Sequence, residues 1–224
     1  MIKNISNVGD AALYCDFGQE VNKDTNTKVI RYFQSIQKKN IQGVNNLTPS
    51  YNKLVVSFDL QKTNFKNLKK EIENLDIENS ETLSSKKIEI PVCCDEDFSL
   101  DIKRLEEKLN INREKIYENF FDKEFFCYMT GFIAGMPFLG DIDKNLRAKR
   151  LETPRVKVPK GSVGLTEQFA NIYTFESPGG WNIIGNTPLN IFDSTKEKDP
   201  NLIYPGDTIS FKEITKDQYH NHNE

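Results

Sequence analysis

From Gly131 onward, glycine and proline recur every few residues between short apolar segments, through Gly135, Pro137, Gly140, Pro154, Pro159, Gly161, Gly164, Pro178, Gly179, Gly180, Gly185, Pro188, Pro205 and Gly206. Proline removes a backbone donor and glycine weakens any regular element, so this spacing breaks helices. Short strands joined by tight turns tolerate it, and the pattern predicts a barrel or sandwich.

The first part of the chain has a different texture. Ala11 to Phe17 alternates, with Leu13, Cys15 and Phe17 on one side, as a half-buried strand does. It reads as the first strand. From Thr25 the period becomes helical, through Val29, Phe33 and Ile36, with Asp24 or Thr25 as cap, and Asn40 to Gly43 can end the run. Lys53 to Phe58 is rich in branched apolar residues and reads as a second strand; Phe65, Leu68, Ile72 and Leu75 then form an amphipathic stripe behind the cap Asn64. The polar, aperiodic stretch 76–87 is the expected boundary between domains, here placed at residues 1–82 and 83–224. Beyond it, Lys87 to Val92 reads as a strand, Ser99 as the cap of a helix carrying Ile102, Leu105 and Leu109, Asn112 to Phe121 as a second helix, and Phe125 to Met129 as a strand again.

Composition excludes several classes of function. The 30 basic and 33 acidic side chains are interspersed, so no polyanion footprint forms and nucleic acid is not an expected partner. No apolar run approaches the ~18–20 residues that span a bilayer, and a cytoplasmic protein away from the membrane is expected. Cys15, Cys93, Cys94 and Cys127 have neither metal-knuckle nor disulfide-framework spacing and read as reduced and buried. The 2 histidines, His220 and His222, lie in a polar ending expected to fray, which leaves no histidine for a nucleophilic triad inside the fold.

The candidate site lies in the turn-rich part. Gly131 to Gly140, Thr153 to Gly164, Ser177 to Pro188 and Tyr204 to Phe211 read as tight turns that present backbone N–H groups between short strands. Gly179 and Gly180 can form an anion nest, with Arg155 and Lys160 to hold a carboxylate or phosphate; Arg155 is the better bidentate donor. Taken one by one, these are also ordinary turn residues, Trp181 an ordinary core residue, and Arg155 an ordinary partner for an acid.

These segments, in this order, resemble the 5-oxoprolinase B-subunit family, which also takes in sporulation-kinase inhibitors and allophanate hydrolase subunit 1. Gly9-Asp10-Ala11-Ala12-Leu13, Ile90-Pro91-Val92 and Ile191-Phe192-Asp193 extend the resemblance to nearly the whole chain. It implies an α+β protein: a small α/β N-terminal domain followed by a cyclophilin-like β-barrel. It implies one member, silent by itself, of an ATP-dependent complex that converts 5-oxo-L-proline to L-glutamate, with a homologous C subunit and a separate A subunit as partners. ATP and Mg are expected at the level of the complex, since no P-loop pattern occurs here. Substrate or nucleotide contacts are expected from Arg155, Lys160, Ser162, Ser177, Gly179, Gly180 and Trp181, with Ser162 as a hydrogen-bond donor and not a nucleophile. Asp141, Asp143 and Glu176 flank these loops, either as magnesium ligands or bases or as solvated turn residues. The alternative is a regulatory protein that binds and inhibits a sensor histidine kinase. Several positions depart from the family pattern: Ala134 for Pro, Met136 for Phe, Phe138 for Tyr, Phe169 for a polar amide, Glu167 and Asn171 for glycines, Phe120 for His and Asn145 for Arg.

Overall fold

The computed structural model describes residues 1–77 and 85–222. The chain divides into two compact units, Met1–Ser84 and Ser85–Glu224, so the expected boundary falls on residues outside those described.

The first unit is a four-stranded antiparallel sheet backed by two helices. Its elements run β1 (Asn4–Asn7), β2 (Ala12–Asp16), α1 (Lys23–Lys39), β3 (Val44–Pro49), β4 (Lys53–Phe58) and α2 (Phe65–Glu73), with sheet order β1-β2-β4-β3. The alternation of β2 and β4 buries Leu13, Cys15, Leu54, Val56 and Phe58 against Val29, Ile36, Leu68 and Ile72 of the helices. Two strands go beyond the sequence reading. β1 and β3 are polar edge strands with too little apolar alternation to announce themselves, and β2 is the second strand, not the first. Asn22, rather than Asp24 or Thr25, caps α1 by accepting the Thr25 N–H, which starts the helix earlier.

The second unit begins with β5 (Lys87–Cys93), α3 (Ile102–Leu109), α4 (Arg113–Phe121) and β6 (Glu124–Thr130). It continues with β7 (Pro137–Gly140), β8 (Arg155–Val158), β9 (Ser162–Thr166), β10 (Phe169–Ile172), β11 (Ser177–Gly179), β12 (Asn182–Asn186), β13 (Thr208–Ile214) and α5 (Lys216–Asn221). Seven strands close a barrel in the order β10-β7-β6-β13-β5-β12-β9; β8 and β11 pair separately as a two-stranded ribbon. Parallel pairing of β13 with β5, from Thr208 opposite Lys87 to Ile214 opposite Cys93, joins the two ends of the unit. The barrel therefore has no free edge at that seam.

Inside the barrel, Val92, Phe125, Cys127, Leu139, Val163, Leu165, Ala170, Ile172, Ile184, Ile209 and Phe211 pack with Leu105, Ile116 and Phe120 of the helices. Ser99 does not cap α3. Its hydroxyl bonds back to the Asp95 carbonyl, and Asp101 stands at the cap position without a side-chain cap bond. The described part of the polar ending forms the helix α5 rather than fraying. Thr215 and Gln218 form a reciprocal capping box on α5, and the Tyr219 hydroxyl bonds Asn186 Oδ1 at 2.8 Å.

Candidate functional site

Period-two alternation sends Gly164, Asn171 and Phe138 to the outer face of β9, β10 and β7, where Asn171 lies in register with both of the others. An outer face normally meets water, yet Asn171 is fully buried and Phe138 nearly so. The segment 148–154 and the ribbon provide the cover. Ala148 O accepts from Thr166 Oγ1 and Glu167 N, Lys149 O accepts from Asn182 Nδ2, and Leu151 N donates to Gly180 O. The Arg150 guanidinium lies 5.6 Å from the centre of the Trp181 ring, whose edge meets Phe138.

Two glycines let these layers close. A Cβ at Gly164 would stand 2.7 Å from Asn171 Oδ1 and 3.0 Å from Trp181 Cβ, and one at Gly179 would stand 2.1 Å from the Tyr173 hydroxyl oxygen. The ribbon backbone thus rests directly on Tyr173, which is only 1% exposed. Burial raises the Tyr173 hydroxyl above its ordinary pKa, opposed by the adjoining Asn171 side chain, the Trp181 backbone and the charges of Arg150 and Arg155.

Arg155 sits opposite Gly179 in the ribbon. Its Nη2 donates to Asp101 Oδ1 at 2.6 Å, while Asp101 Oδ2 accepts the Ile183 N–H at 2.7 Å, so a 4%-exposed carboxylate ties the ribbon to the start of α3 and to β12. Half of the expected anion-binding fork is therefore occupied by Asp101. The other half is open: Arg155 Nη1 is buried with no hydrogen-bond partner, as are Asn171 Oδ1 and Ser177 Oγ. A buried polar group left unpaired costs about 1–3 kcal/mol, so three in neighbouring strands mark a place where the fold gives up stability.

The expected residues divide into two groups. Arg155, Ser177, Gly179 and Gly180 belong to the ribbon and its exit, and Trp181 packs beneath it. Lys160 and Ser162 do not join them. Lys160 is exposed and bonds Asn190 Oδ1, while Ser162, 2% exposed, accepts from Asn186 Nδ2 at 3.4 Å in the group that also receives Tyr219. The acids are engaged locally as well. Asp141 accepts from the Tyr128 hydroxyl and Gln168 Nε2; Asp143 from the Asn145 N–H and Lys123, which hold it below the usual carboxylate pKa; Glu176 pairs with Lys157. Among the described residues no three His, Cys, Asp or Glu side chains gather into a ready-made metal cage.

The departures from the family pattern have distinct surroundings. Phe120 lies in an aromatic cluster with Phe125 and Phe211, Phe169 packs edge-on against Tyr128, and Asn145 is an exposed residue in the 3-10 turn Lys144–Leu146. Sequence reasoning passed over Tyr173 and Asp101. The alternation Phe169-Ala170-Asn171-Ile172-Tyr173 does carry a signal for the first, because small and apolar residues mark the inner face and place Tyr173 beside Asn171 on the outer one. Nothing local points to Asp101, 54 positions from its partner Arg155. Open cavities occur elsewhere, one of about 610 Å³ between α4 and β13 lined by Arg113, Tyr117, Phe121 and Phe211, and one of about 560 Å³ around Lys216. None of the expected site residues lines either.

Residues 3–203 match the family described as carboxyltransferase domain, subdomain C and D. The chain is 30% identical to the 5-oxoprolinase B subunit of Bacillus subtilis (strain 168), over 98% of this chain and 96% of that protein. It is 30% identical to the protein of the same name from Haemophilus influenzae, over 93% and 96%. Among solved structures, TTHA0988 superposes with a TM-score of 0.82 at 26% identity over 92% of this chain. This chain spans 40% of that longer one. A conserved uncharacterized protein, PH0987 from Pyrococcus horikoshii, is 31% identical over 96% of this chain and all of its own, with a TM-score of 0.58. The K. lactis urea amidolyase, at 19% identity and a TM-score of 0.75, shares the fold over 15% of its length.

Proposed function

The chain belongs to the 5-oxoprolinase B-subunit family, and from that premise we propose that it is the B subunit of an ATP-dependent complex that opens 5-oxo-L-proline to L-glutamate. The observation that carries this reading is the end-to-end match, 98% of this chain against 96% of the Bacillus subtilis protein of that name. The ring amide of 5-oxoproline is a poor electrophile, and ATP supplies the activation of its carbonyl that water alone lacks. The A and C subunits are the proposed partners, and the nucleotide with its magnesium is assigned to the complex.

Within that assembly this chain contributes a cationic, glycine-lined surface. Arg155 binds an anionic group, the 177–180 turn offers backbone N–H donors, and Trp181 walls the pocket. Two residues support a protein-bound state. Phe132 and Val156 are each 81% exposed, and Phe132 holds a left-handed φ of 67°, unusual for an aromatic side chain. The same exposed residues would serve the alternative role of a kinase-binding regulator. The two readings separate on co-purification: the enzyme reading expects this chain to elute with the A and C subunits and 5-oxoproline to be consumed with ATP only when it is included. Consumption that is unchanged in its absence overturns the reading.

A further inference from the structure

Of the buried polar atoms that lack partners, two belong to Asn171 and Arg155, whose side chains both act electrostatically on the Tyr173 hydroxyl. Asn171 stands beside it on the same strand face, and Gly179, which rests on its oxygen, is the register partner of Arg155. We propose that the layer between the ribbon and the outer barrel face, centred on Tyr173, is a binding site for a small molecule carrying a carboxylate next to an amide N–H. Arg155 and Asn171 are its recognition residues.

The chemistry follows from what each atom lacks. Arg155 Nη1 is a donor with no acceptor and favours an anionic oxygen; Asn171 Oδ1 is an acceptor with no donor and favours an N–H. Ser177 Oγ, also unpartnered, can serve either kind of group. A ligand that offers only a carboxylate leaves Asn171 unpaired, and one that offers only an amide leaves Arg155 unpaired. Asp101 is a positioning residue. It holds Nη2 and is itself fixed by the Ile183 N–H, and Nη1 is left without a partner. Arg150, over Trp181, adds a second positive charge to offset Asp101.

The site is closed in this structure, since Tyr173 is 1% exposed and Arg155 Nη1 is buried. β8 and β11 pair only with each other in the described sheets, so the ribbon can lift without breaking a barrel ladder. Entry by lifting and retention by closing give the ligand a measurable effect on the ribbon itself.

This assignment rests on the 5-oxoproline reading for its probe. Amide hydrogen exchange at residues 155–158 and 177–179 of the full chain is compared without ligand, with 5-oxoproline, and with 2-pyrrolidinone, which keeps the lactam and lacks the carboxylate. The expected result is slower exchange with 5-oxoproline alone, lost in Arg155→Met and Asn171→Leu. Tyr173→Phe, which preserves shape, guards against a variant that fails to fold and is expected to weaken 5-oxoproline protection about tenfold or more in concentration. Exchange indifferent to 5-oxoproline, or equal protection by both compounds, means a site filled by water or by unspecific contacts and overturns the assignment. Glutamate formation keeps the two readings apart. An active assembly whose KM is unchanged by Asn171→Leu and Tyr173→Phe overturns this site alone, whereas ribbon protection without any glutamate formation supports the site and removes the proposed reaction.

Discussion

At the scale of single residues, the first unit holds a carboxylate whose role is electrostatic. Asp16 accepts from Lys53 Nζ at 2.6 Å and from the Gly18 N–H at 2.7 Å, and these bonds, the lysine first, lower its pKa below the ordinary value. A carboxylate with a depressed folded-state pKa stabilises the fold above its unfolded value and loses that contribution as pH falls through the folded one. The melting-temperature gap between the wild type and Asp16→Asn is therefore expected to be widest near neutrality and to close below about pH 4. A gap independent of pH would show that the pair does not act through ionisation. Residue-scale legibility was uneven for the site as well. The motif does bring Gly179 into register with Arg155, whereas Asp101 was invisible because its partner Arg155 is brought to it only by the tertiary fold. Lys160 shows the converse: it is close to Arg155 in sequence, yet its side chain bonds Asn190.

Among the elements, the ribbon β8–β11 decides whether the outer barrel face is covered. Gly179→Ala puts a Cβ where the Tyr173 hydroxyl already stands, 2.1 Å away, and neither the strand backbone nor a fully packed tyrosine yields easily. The expected cost is roughly 1–3 kcal/mol, read as a lowered melting temperature together with faster exchange in the ribbon. An unchanged stability would mean that the ribbon does not rest on Tyr173. Strands with branched apolar residues, such as β4 and β5, were legible from sequence. The polar edge strands β1 and β3 were not, because pairing to a neighbour rather than their own side chains makes them strands. The terminal helix α5 escaped for a related reason, being held by a capping box and one tyrosine bond without an apolar stripe.

For the molecule as a whole, the polar, aperiodic stretch 76–87 is where the sequence suggests a division, and the glycine–proline punctuation together with the family resemblance pointed to a barrel; the pairing that closes it was not legible, because β13 meets β5 across more than a hundred residues. Both cores exclude their thiols from solvent. All four cysteines are buried; burial pushes Cys15 up to about 12 and raises Cys93, Cys94 and Cys127 as well. A thiol reagent at about pH 8 is expected to leave the native chain unmodified and to titrate all four groups on denaturation; rapid labelling of the native protein would contradict the packing described. Membership of the 5-oxoprolinase B-subunit family makes the chain's contribution to an assembly the central claim. Its most direct test is the initial rate of glutamate formation from 5-oxoproline and ATP by fixed amounts of the A and C subunits, titrated with this chain. No rate is expected at zero addition, and saturation at a fixed molar ratio; a rate that does not depend on the chain, or none at any ratio from a co-purifying assembly, would contradict the proposed role.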